Sequence, residues 1–183
     1  MRRFAPLLFA ALALSACARA PAAQTCERSA TQQTTWTMED APDTITTRSE
    51  GPNCLQAAVF LVARNSAGDV LWTFASTYYD MTTGGIAPEH AAPVSNQQMD
   101  GFLNGWADVT EKRTGELPQW RAGAAAPSAP TFRFSTDYPR ETYEAIRARN
   151  ARMICYAAAA EATQCLAIDP STNAPALIVA YGP

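Results

Sequence analysis

The one histidine of the chain, His90, is the only imidazole available for a nucleophile system of the Ser-His-Asp or Cys-His kind. It follows Glu89 in the segment 80–94, whose glycines and prolines predict a loop, and loops often carry catalytic groups. No serine lies in a Gly-x-Ser-x-Gly turn that would expose its hydroxyl group. Because a single histidine in a loop is most often a solvated side chain, we assign no catalytic role to His90.

Paired carboxylates could support a second kind of chemistry, the hydrolysis of a glycosidic bond. That reaction needs one general acid and one base or nucleophile, and the two acids can come from distant parts of a chain. No spacing in this sequence selects a pair. The acids available for it are Glu39, Asp40, Asp80, Glu89 and Glu116.

Four cysteines in the later part of the chain predict disulfides rather than a metal or redox centre. No two of them are separated by two residues, and one histidine is too few to complete a zinc site. Four cysteines allow three pairings, of which we favour Cys26–Cys54 and Cys155–Cys165. Cys155 and Cys165 lie symmetrically about Ala160, so a hairpin turning there would place the two thiols opposite each other. We therefore expect structural disulfides, no metal ion and no cofactor.

The fifth cysteine, Cys17, ends a segment of different composition. Arg2 and Arg3 are followed by the almost wholly apolar residues 4–13 and then by Leu-Ser-Ala-Cys at 14–17. This is the layout of a secretory signal peptide, and its apolar part is shorter than the roughly 20 residues of a membrane-spanning helix. With a cysteine directly after Leu-Ser-Ala, the segment resembles the lipobox of bacterial lipoproteins.

The resemblance implies that the signal peptide, residues 1–16, is removed and that the thiol and the new amino group of Cys17 are acylated. Two or three acyl chains would hold the protein firmly on a membrane. Ala18 follows the cysteine where lipoproteins of the inner membrane often have aspartate, so the resemblance points to the periplasmic face of the outer membrane. The alternatives are an ordinary signal peptide cleaved near Ala22 or Ala23, and a cytoplasmic chain with reactive thiols.

The charge of the chain argues against nucleic acid as a partner. The full sequence has a formal net charge of −3, from 14 basic and 17 acidic residues, and loss of Arg2 and Arg3 would make it −5. The one lysine, Lys112, lies beside Arg113, and the other basic residues are scattered. Nucleic-acid binding depends on clustered cations that neutralise phosphates, which this pattern lacks. No second long apolar segment is present, so we expect only the lipid to touch the membrane.

The segment that begins at Cys17 predicts a tether followed by one domain. Residues 17–32 are rich in alanine, glutamine, threonine and serine, a composition typical of a flexible linker. The alanine- and proline-rich spacer 123–130 is followed by only about fifty residues, too few to form a stable core of their own. We therefore predict a lipidated tether over 17–32 and a single globular domain over 33–183.

Two runs rich in valine, leucine, phenylalanine and tryptophan, 57–64 and 69–77, predict a β-hairpin. They flank a four-residue link that ends in glycine, which suits a tight turn. Because side chains alternate between the faces of a strand, we expect Val70, Trp72 and Phe74 to share the core face. Further strands are expected at 34–38, 44–47, 131–135, 153–159, 163–168 and 176–181.

A helix is predicted after the loop. Ser95 and Gln98 have the spacing of a capping box. We expect the helix to end at Gly115, with Lys112 and Arg113 in its last turn, where cations favour the negative end of the helix dipole. Its apolar stripe, expected to pack on the sheet, comprises Met99, Phe102, Leu103, Trp106 and Val109.

A second helix is predicted from Tyr138 to about Asn150. Asp137 is its expected cap, and acidic residues come early and basic residues late in the segment, as the dipole favours. The order of elements, strands, helix, strand, helix and strands, predicts an α+β fold. In this fold a mainly antiparallel sheet packs against two helices in a single domain.

Aromatic residues at the ends of elements are the remaining signal for function. Tyr78, Tyr79 and Trp120 could be exposed, and large exposed aromatic side chains often anchor partners or sugars. We therefore predict a lipid-anchored envelope protein with a non-catalytic binding role: an accessory subunit, an assembly factor or an inhibitor of a periplasmic hydrolase. Its expected partner is an envelope protein. The alternative is a hydrolase of cell-wall glycan that uses a carboxylate pair.

Overall fold

Strands dominate the structure, a computed structural model that describes residues 25–38, 40–84, 91–169 and 171–183. The expected signal peptide at 1–16, the lipidation site Cys17, His90, Glu39 and Glu89 lie outside these residues. Within the described ranges, no helix is long and apolar enough to cross a bilayer.

The described residues form nine strands and three helices, which make up a single α+β domain. This confirms the predicted fold class. The elements are β1 (Arg28–Thr34), β2 (Asp43–Glu50), β3 (Ala58–Arg64), β4 (Val70–Thr77), α1 (Tyr78–Thr83), α2 (Asn96–Ala107), β5 (Thr110–Arg113), a 3-10 turn (Thr114–Glu116), β6 (Arg133–Ser135), α3 (Arg140–Ala148), β7 (Arg152–Ala159), β8 (Ala162–Asp169) and β9 (Ala174–Gly182).

The strands form two antiparallel sheets. Sheet A is a meander in the order β1-β2-β3-β4, and sheet B has the order β5-β7-β8-β9-β6. The predicted hairpin over 57–77 is present as β3 and β4. Its register shifts between Ala63 and Arg64, so Val70 lies at the end of β4 and is 51% exposed. The expectation that Val70 shares the core face is therefore wrong, whereas Trp72 and Phe74 do pack against the core.

The folded domain begins earlier than the expected boundary after residue 32. Strand β1 starts at Arg28, inside the segment predicted to be a tether. This strand lies at the edge of sheet A and leaves most of its polar side chains exposed, which is why its composition resembles that of a linker. The Arg28 guanidinium donates to both carboxylate oxygens of Asp100 in α2, at 2.7 and 2.6 Å, and Cys26 is bonded to Cys54.

The helix predicted from Ser95 ends sooner than expected. Its capping box is present, since the Ser95 hydroxyl accepts from the Gln98 backbone and the Gln98 side chain accepts from the Ser95 backbone. However, α2 ends at Ala107, and Lys112 and Arg113 belong to β5 rather than to a last helical turn. Pairing of β5 with β7 in sheet B replaces helical hydrogen bonds in this segment.

Two other helix boundaries differ from the predictions. The expected loop over 80–94 begins within α1, because the Thr77 hydroxyl accepts from the Asp80 backbone and caps a short helix. Helix α3 starts at Arg140, with Pro139 rather than Asp137 in the cap position. Asn150 then has a φ of 49°, which turns the chain away from the helix.

Both favoured disulfides are present. Cys26–Cys54 has a Cα separation of 4.9 Å and attaches the start of the described chain to the segment before β3. Cys155–Cys165 has a Cα separation of 4.1 Å. Its two residues lie directly opposite each other on β7 and β8, the hairpin that turns at Ala160.

Apolar residues pack against both faces of sheet B, so the domain has two apolar cores. Its inner face, with Ile154, Tyr156 and Leu166, packs against sheet A and α2. Its outer face carries the alternate residues, among them Met153 and Cys165, and packs against α3 and the segment after β5.

Candidate functional site

The outer face of sheet B is only partly covered by α3, and the rest forms a groove with a volume of about 320 Å³. Each of the five strands contributes one residue to its lining, and those of β7 and β8, Met153 and Cys165, are almost completely buried. We call it the diagonal groove. It is lined by Lys112, Glu116, Leu117, Pro118, Phe132, Phe134, Met153, Cys165 and Tyr181.

Strand register explains the course of the diagonal groove. Lys112 of β5 is directly opposite Met153 of β7, and Phe134 of β6 is directly opposite Tyr181 of β9. Cys165 of β8 lies between these pairs and is offset from both along the strands, so the row runs obliquely. The two end strands, β5 and β6, are four inter-strand spacings of about 4.8 Å apart, so Lys112 and Phe134 are separated by about 19 Å across the sheet.

Aromatic side chains form one end of the diagonal groove. Phe132 is 45% exposed, although it carries a large apolar ring. Its ring lies edge-on to Tyr181 at 5.5 Å, and Tyr181 stacks on Phe134 at 4.9 Å. These contacts hold the Phe132 ring in place while leaving much of it open to solvent. Ordered, exposed aromatic rings are typical anchor points for a partner.

The opposite end of the diagonal groove is charged. Here it continues into a cleft of about 300 Å³, with which it shares Lys112 and Glu116. Three basic and two acidic side chains meet in this cleft, in a chain whose overall charge is negative. The cleft is lined by Thr35, Glu111, Lys112, Arg113, Glu116 and Arg152.

The carboxylate of Glu111 is occupied by hydrogen bonds within the protein. It accepts hydrogen bonds from the Thr35 backbone N–H at 2.8 Å, the Thr34 hydroxyl at 2.7 Å and the Thr35 hydroxyl at 3.0 Å. The bond from the Thr35 backbone is the largest of the effects that lower the pKa of Glu111. Glu111 therefore joins β5 to the end of β1, and its charge is largely used in that contact.

The side chain of Lys112 makes no hydrogen bond or ion pair with the part of the chain that the structure describes, unlike those of Arg113 and Glu116. Arg113 donates from its side chain to the Asn150 carbonyl at 3.1 Å, and Glu116 accepts from the Arg113 backbone at 2.7 Å. Lys112 is half-buried at the boundary between the cleft and the diagonal groove. A cation held there is available to a ligand.

A second cavity, of about 210 Å³, lies between α3 and the end of β8. Its walls are mainly apolar, and two of the polar side chains that line it, Thr114 and Asp169, already have partners. The Thr114 hydroxyl donates to the Ile146 carbonyl at 2.9 Å. Asp169 accepts from the Ser171 hydroxyl at 2.6 Å, a bond that lowers the pKa of Asp169. The diagonal groove, with an unpaired cation and an exposed ring, is the better candidate site.

Of the sequence candidates for a carboxylate pair, the three that the structure describes do not stand out. Asp40 is exposed, Asp80 accepts from the Thr77 hydroxyl at the start of α1, and Glu116 lies at the rim of the diagonal groove. A general acid needs a raised pKa. Among the described carboxyl groups, those with a shifted pKa are all shifted downward, namely Asp100, Glu111, Glu144 and Asp169.

The aromatic residues singled out by sequence have structural contacts. Tyr78 packs edge-on against Phe102 at 5.1 Å, and Tyr79 is half-buried in α1. Trp120 packs edge-on against Tyr143 at 5.8 Å and donates from its indole nitrogen to the Ala124 carbonyl at 2.9 Å. We therefore give these residues no binding role.

Sequence reasoning missed the aromatic end of the diagonal groove. Phe132 and Phe134 both lie in the strand predicted at 131–135, and their alternation is the only local signal that they share a face. Nothing in the sequence places Lys112 or Tyr181 near them, because these residues are brought together only by strand pairing.

In the described ranges, no group of three or more histidine, cysteine or acidic residues could hold a metal ion. Comparison with protein family models, with curated proteins and with solved structures gives no match to this chain. The geometry of the diagonal groove and the composition of the chain are therefore the basis for assigning a function.

Proposed function

We propose that this protein is a lipid-anchored component of the bacterial envelope with a non-catalytic binding role, and that the diagonal groove is its binding site. The observation that carries the proposal is the exposed ring of Phe132 in the same groove as the unpaired cation of Lys112. Exposing a large apolar ring to water has a free-energy cost, and a partner that covers it would remove that cost.

Two features of the sequence support the proposed location. The lipobox-like residues 14–17 would place a lipid on Cys17, and disulfides such as Cys26–Cys54 and Cys155–Cys165 persist in oxidising compartments. The chain between Cys17 and the start of β1 can reach at most about 40 Å. A domain tethered in this way would meet partners close to the membrane, as an accessory subunit, an assembly factor or an inhibitor of a periplasmic hydrolase would.

Cross-linking through Lys112 tests the binding role, because Lys112 is the chain's only lysine. If the amino group of Cys17 is acylated, Lys112 is also the only primary amine. We expect an amine-reactive cross-linker, applied to intact envelopes, to join the protein to a discrete partner. Phe132→Ala should remove this product, because the aromatic anchor is lost while the reactive lysine is kept.

The control for this experiment is Lys112→Arg, which keeps the positive charge but removes the reactive amine. It should abolish the cross-linked product. A product of the same size in Phe132→Ala would mean that Lys112 merely meets neighbours by chance, and the proposed binding site would be wrong. Clearing of murein in a zymogram, lost on substitution of a single carboxylate, would replace the binding role with the hydrolase.

The mass of the protein extracted from bacterial membranes tests the anchor. We expect a chain that starts at Cys17 and carries acyl groups, and a Cys17→Ser variant that keeps residues 1–16. A wild-type chain cleaved near residue 22 without a lipid would contradict the anchor and leave the diagonal groove unaffected.

A further inference from the structure

We infer that the diagonal groove binds an extended segment of a partner protein, in which an apolar side chain is followed about four residues later by a carboxylate. The apolar side chain covers Phe132, and the carboxylate pairs with Lys112. The inference rests on the proposed binding role, and it names the chemistry of the partner.

The length of the diagonal groove favours an extended chain. A row of about 19 Å matches about six residues of a β-strand at about 3.3 Å per residue. The groove is open at Phe132 and joins the charged cleft at its other end, and a chain that contacts both ends would pass over the buried Met153 and Cys165. A compact ligand would contact only one end.

The two ends of the diagonal groove require two different groups. Phe132, Phe134 and Tyr181 present aromatic surface at β6 and β9, whereas Lys112 presents a charge at β5. The ends are three to four strand spacings apart, about 14–19 Å. In an extended chain, side chains on the same face are separated by even numbers of residues, and four residues span about 13 Å. The flexible Lys112 side chain covers the remaining distance.

Charge complementarity selects a carboxylate for the β5 end. Lys112, Arg113 and Arg152 meet Glu111 and Glu116 there, which leaves one net positive charge, and Glu111 is engaged by three hydrogen bonds from Thr34 and Thr35. A local excess of positive charge on an acidic protein attracts an acidic group and orients it. Since Lys112 has no partner among the described residues, a carboxylate there need not displace an existing ion pair.

The composition of the walls favours a peptide over a glycan. The rings at the aromatic end are two phenylalanines and one tyrosine, so two of the three can stack on a sugar but cannot form hydrogen bonds with its hydroxyl groups. Apolar side chains of a peptide need no such hydrogen bonds. Muropeptide fragments, which carry both sugars and carboxylates, are therefore the competing occupant that the experiment must exclude.

Fluorescence anisotropy with labelled synthetic peptides tests this inference. The probe contains the sequence Phe-Thr-Ser-Thr-Asp within flanking serines, and its matched control has Asn in place of Asp. We expect the Asp peptide to bind about three- to tenfold more tightly at low salt, and the difference to shrink as salt is added.

Variants of the protein identify the residues that are responsible for the preference for the Asp peptide over the Asn peptide. Lys112→Gln should remove the difference between the two peptides, Lys112→Arg should restore most of it, and Phe132→Ala should weaken both peptides equally. Arg149→Gln removes a positive charge outside the diagonal groove and should change neither affinity. Both Lys112 and Phe132 lie at the surface of the groove, so we expect each variant to fold. Thermal unfolding of each variant checks this.

Three results would overturn the inference. The Asp and Asn peptides could bind equally well, muropeptides could occupy the diagonal groove while both peptides fail, or the protein could form dimers that Phe132→Ala dissociates. Each result is distinct from failure of the proposed function. A cross-linked partner that depends on Phe132, together with no preference for the Asp peptide, would keep the binding role and reject the acidic segment.

Discussion

The two faces of sheet B have nearly the same composition but different environments. Along β7, Ile154 and Tyr156 point inward, and Met153 and Cys155 point outward, so both faces are apolar. The inner face packs against sheet A and α2. The outer face is covered by α3 over one part and open at the diagonal groove over the other. Alternation therefore made both faces suitable for burial, and only the covering elements distinguish them.

The polar groups on the two faces of sheet B also differ, because those on the inner face are hydrogen-bonded and one on the outer face is unpaired. On the inner side, the Trp72 indole donates to the Tyr156 hydroxyl at 3.0 Å, and the Tyr156 hydroxyl bonds to the Gln164 amide oxygen at 2.6 Å. Burial raises the pKa of Tyr156 to about 12, so this hydroxyl remains protonated at neutral pH. On the outer side, Lys112 is unpaired and Phe132 is exposed. The inner face is thus arranged for stability, and the outer face keeps groups available for a partner.

The largest expected effect contrasts a buried residue of the inner core with an exposed residue of the groove. Leu103→Ala should lower the free energy of unfolding by about 3–4 kcal/mol, because Leu103 is fully buried and its loss leaves a cavity. The melting temperature should fall by about 6–16 °C. Phe132→Ala is the matched control and should cost less than about 1 kcal/mol. Equal losses in calorimetry would mean that the groove is part of the core.

Removal of the Cys155–Cys165 disulfide tests how far the outer face depends on its own cross-link. Replacing both cysteines with alanine should lower the free energy of unfolding by about 2–3 kcal/mol, since the bond closes a loop with a sequence separation of 10. Denaturant unfolding measures the change. Unaltered stability would show that pairing of β7 with β8 alone fixes this part of the groove.

A smaller effect is expected from the inner hydrogen-bond network. Tyr156→Phe should cost about 1–2 kcal/mol, because it leaves the partly buried indole N–H of Trp72 without its acceptor. Tyr181→Phe, which removes a hydroxyl from the groove, is the control and should change stability by less than about 0.5 kcal/mol. If chemical denaturation showed similar losses of unfolding free energy for Tyr156→Phe and Tyr181→Phe, the inner face would not be the more strongly stabilised of the two faces of sheet B.

The smallest effect concerns the contact between the two sheets at Glu111. Glu111→Gln should cost about 1 kcal/mol at pH 7, after allowance for solvent screening of this exposed group. The pKa of Glu111 is lowered from 4.5 in the folded protein, so its contribution is complete above that pH. The contribution is lost as the pH falls through the lowered value.

Melting temperatures measured from pH 7 down to pH 3 should therefore converge for the wild type and Glu111→Gln. Glu116→Gln is the control, because it leaves the bonds of Glu111 with Thr34 and Thr35 intact, and it should follow the wild type throughout. A difference that grows as the pH falls would contradict the assignment of these bonds to the Glu111 carboxylate.

Features predicted correctly from the sequence depend on neighbours along the chain. The capping box of Ser95 and Gln98 acts over three residues. The β3–β4 hairpin follows from a short link ending in Gly68, whose φ of 92° suits a turn. Cys155 and Cys165 face each other because both lie on one hairpin. In each case the favourable interaction is local, so the pattern that predicts it is also local.

Features predicted wrongly depend on pairing with distant strands. The composition of the polar edge strand β1 predicts a linker, whereas its stability comes from pairing with β2 and from the contact of Arg28 with Asp100. Lys112 and Arg113 suit the end of a helix, but pairing with β7 places them in a sheet. Local preferences of a few tenths of a kcal/mol are easily outweighed by such contacts.

The sequence by itself determined the fold class, the positions of the main hairpins and the pairing of Cys155 with Cys165, because alternation, turns and caps act within a few residues. Only the tertiary structure decided that there are two sheets and that a groove remains on the outer face of one of them. The residues of the diagonal groove, from Lys112 to Tyr181, come from five strands. Their proximity is a consequence of strand order and register, which depend on the burial of the whole sheet and have no local pattern.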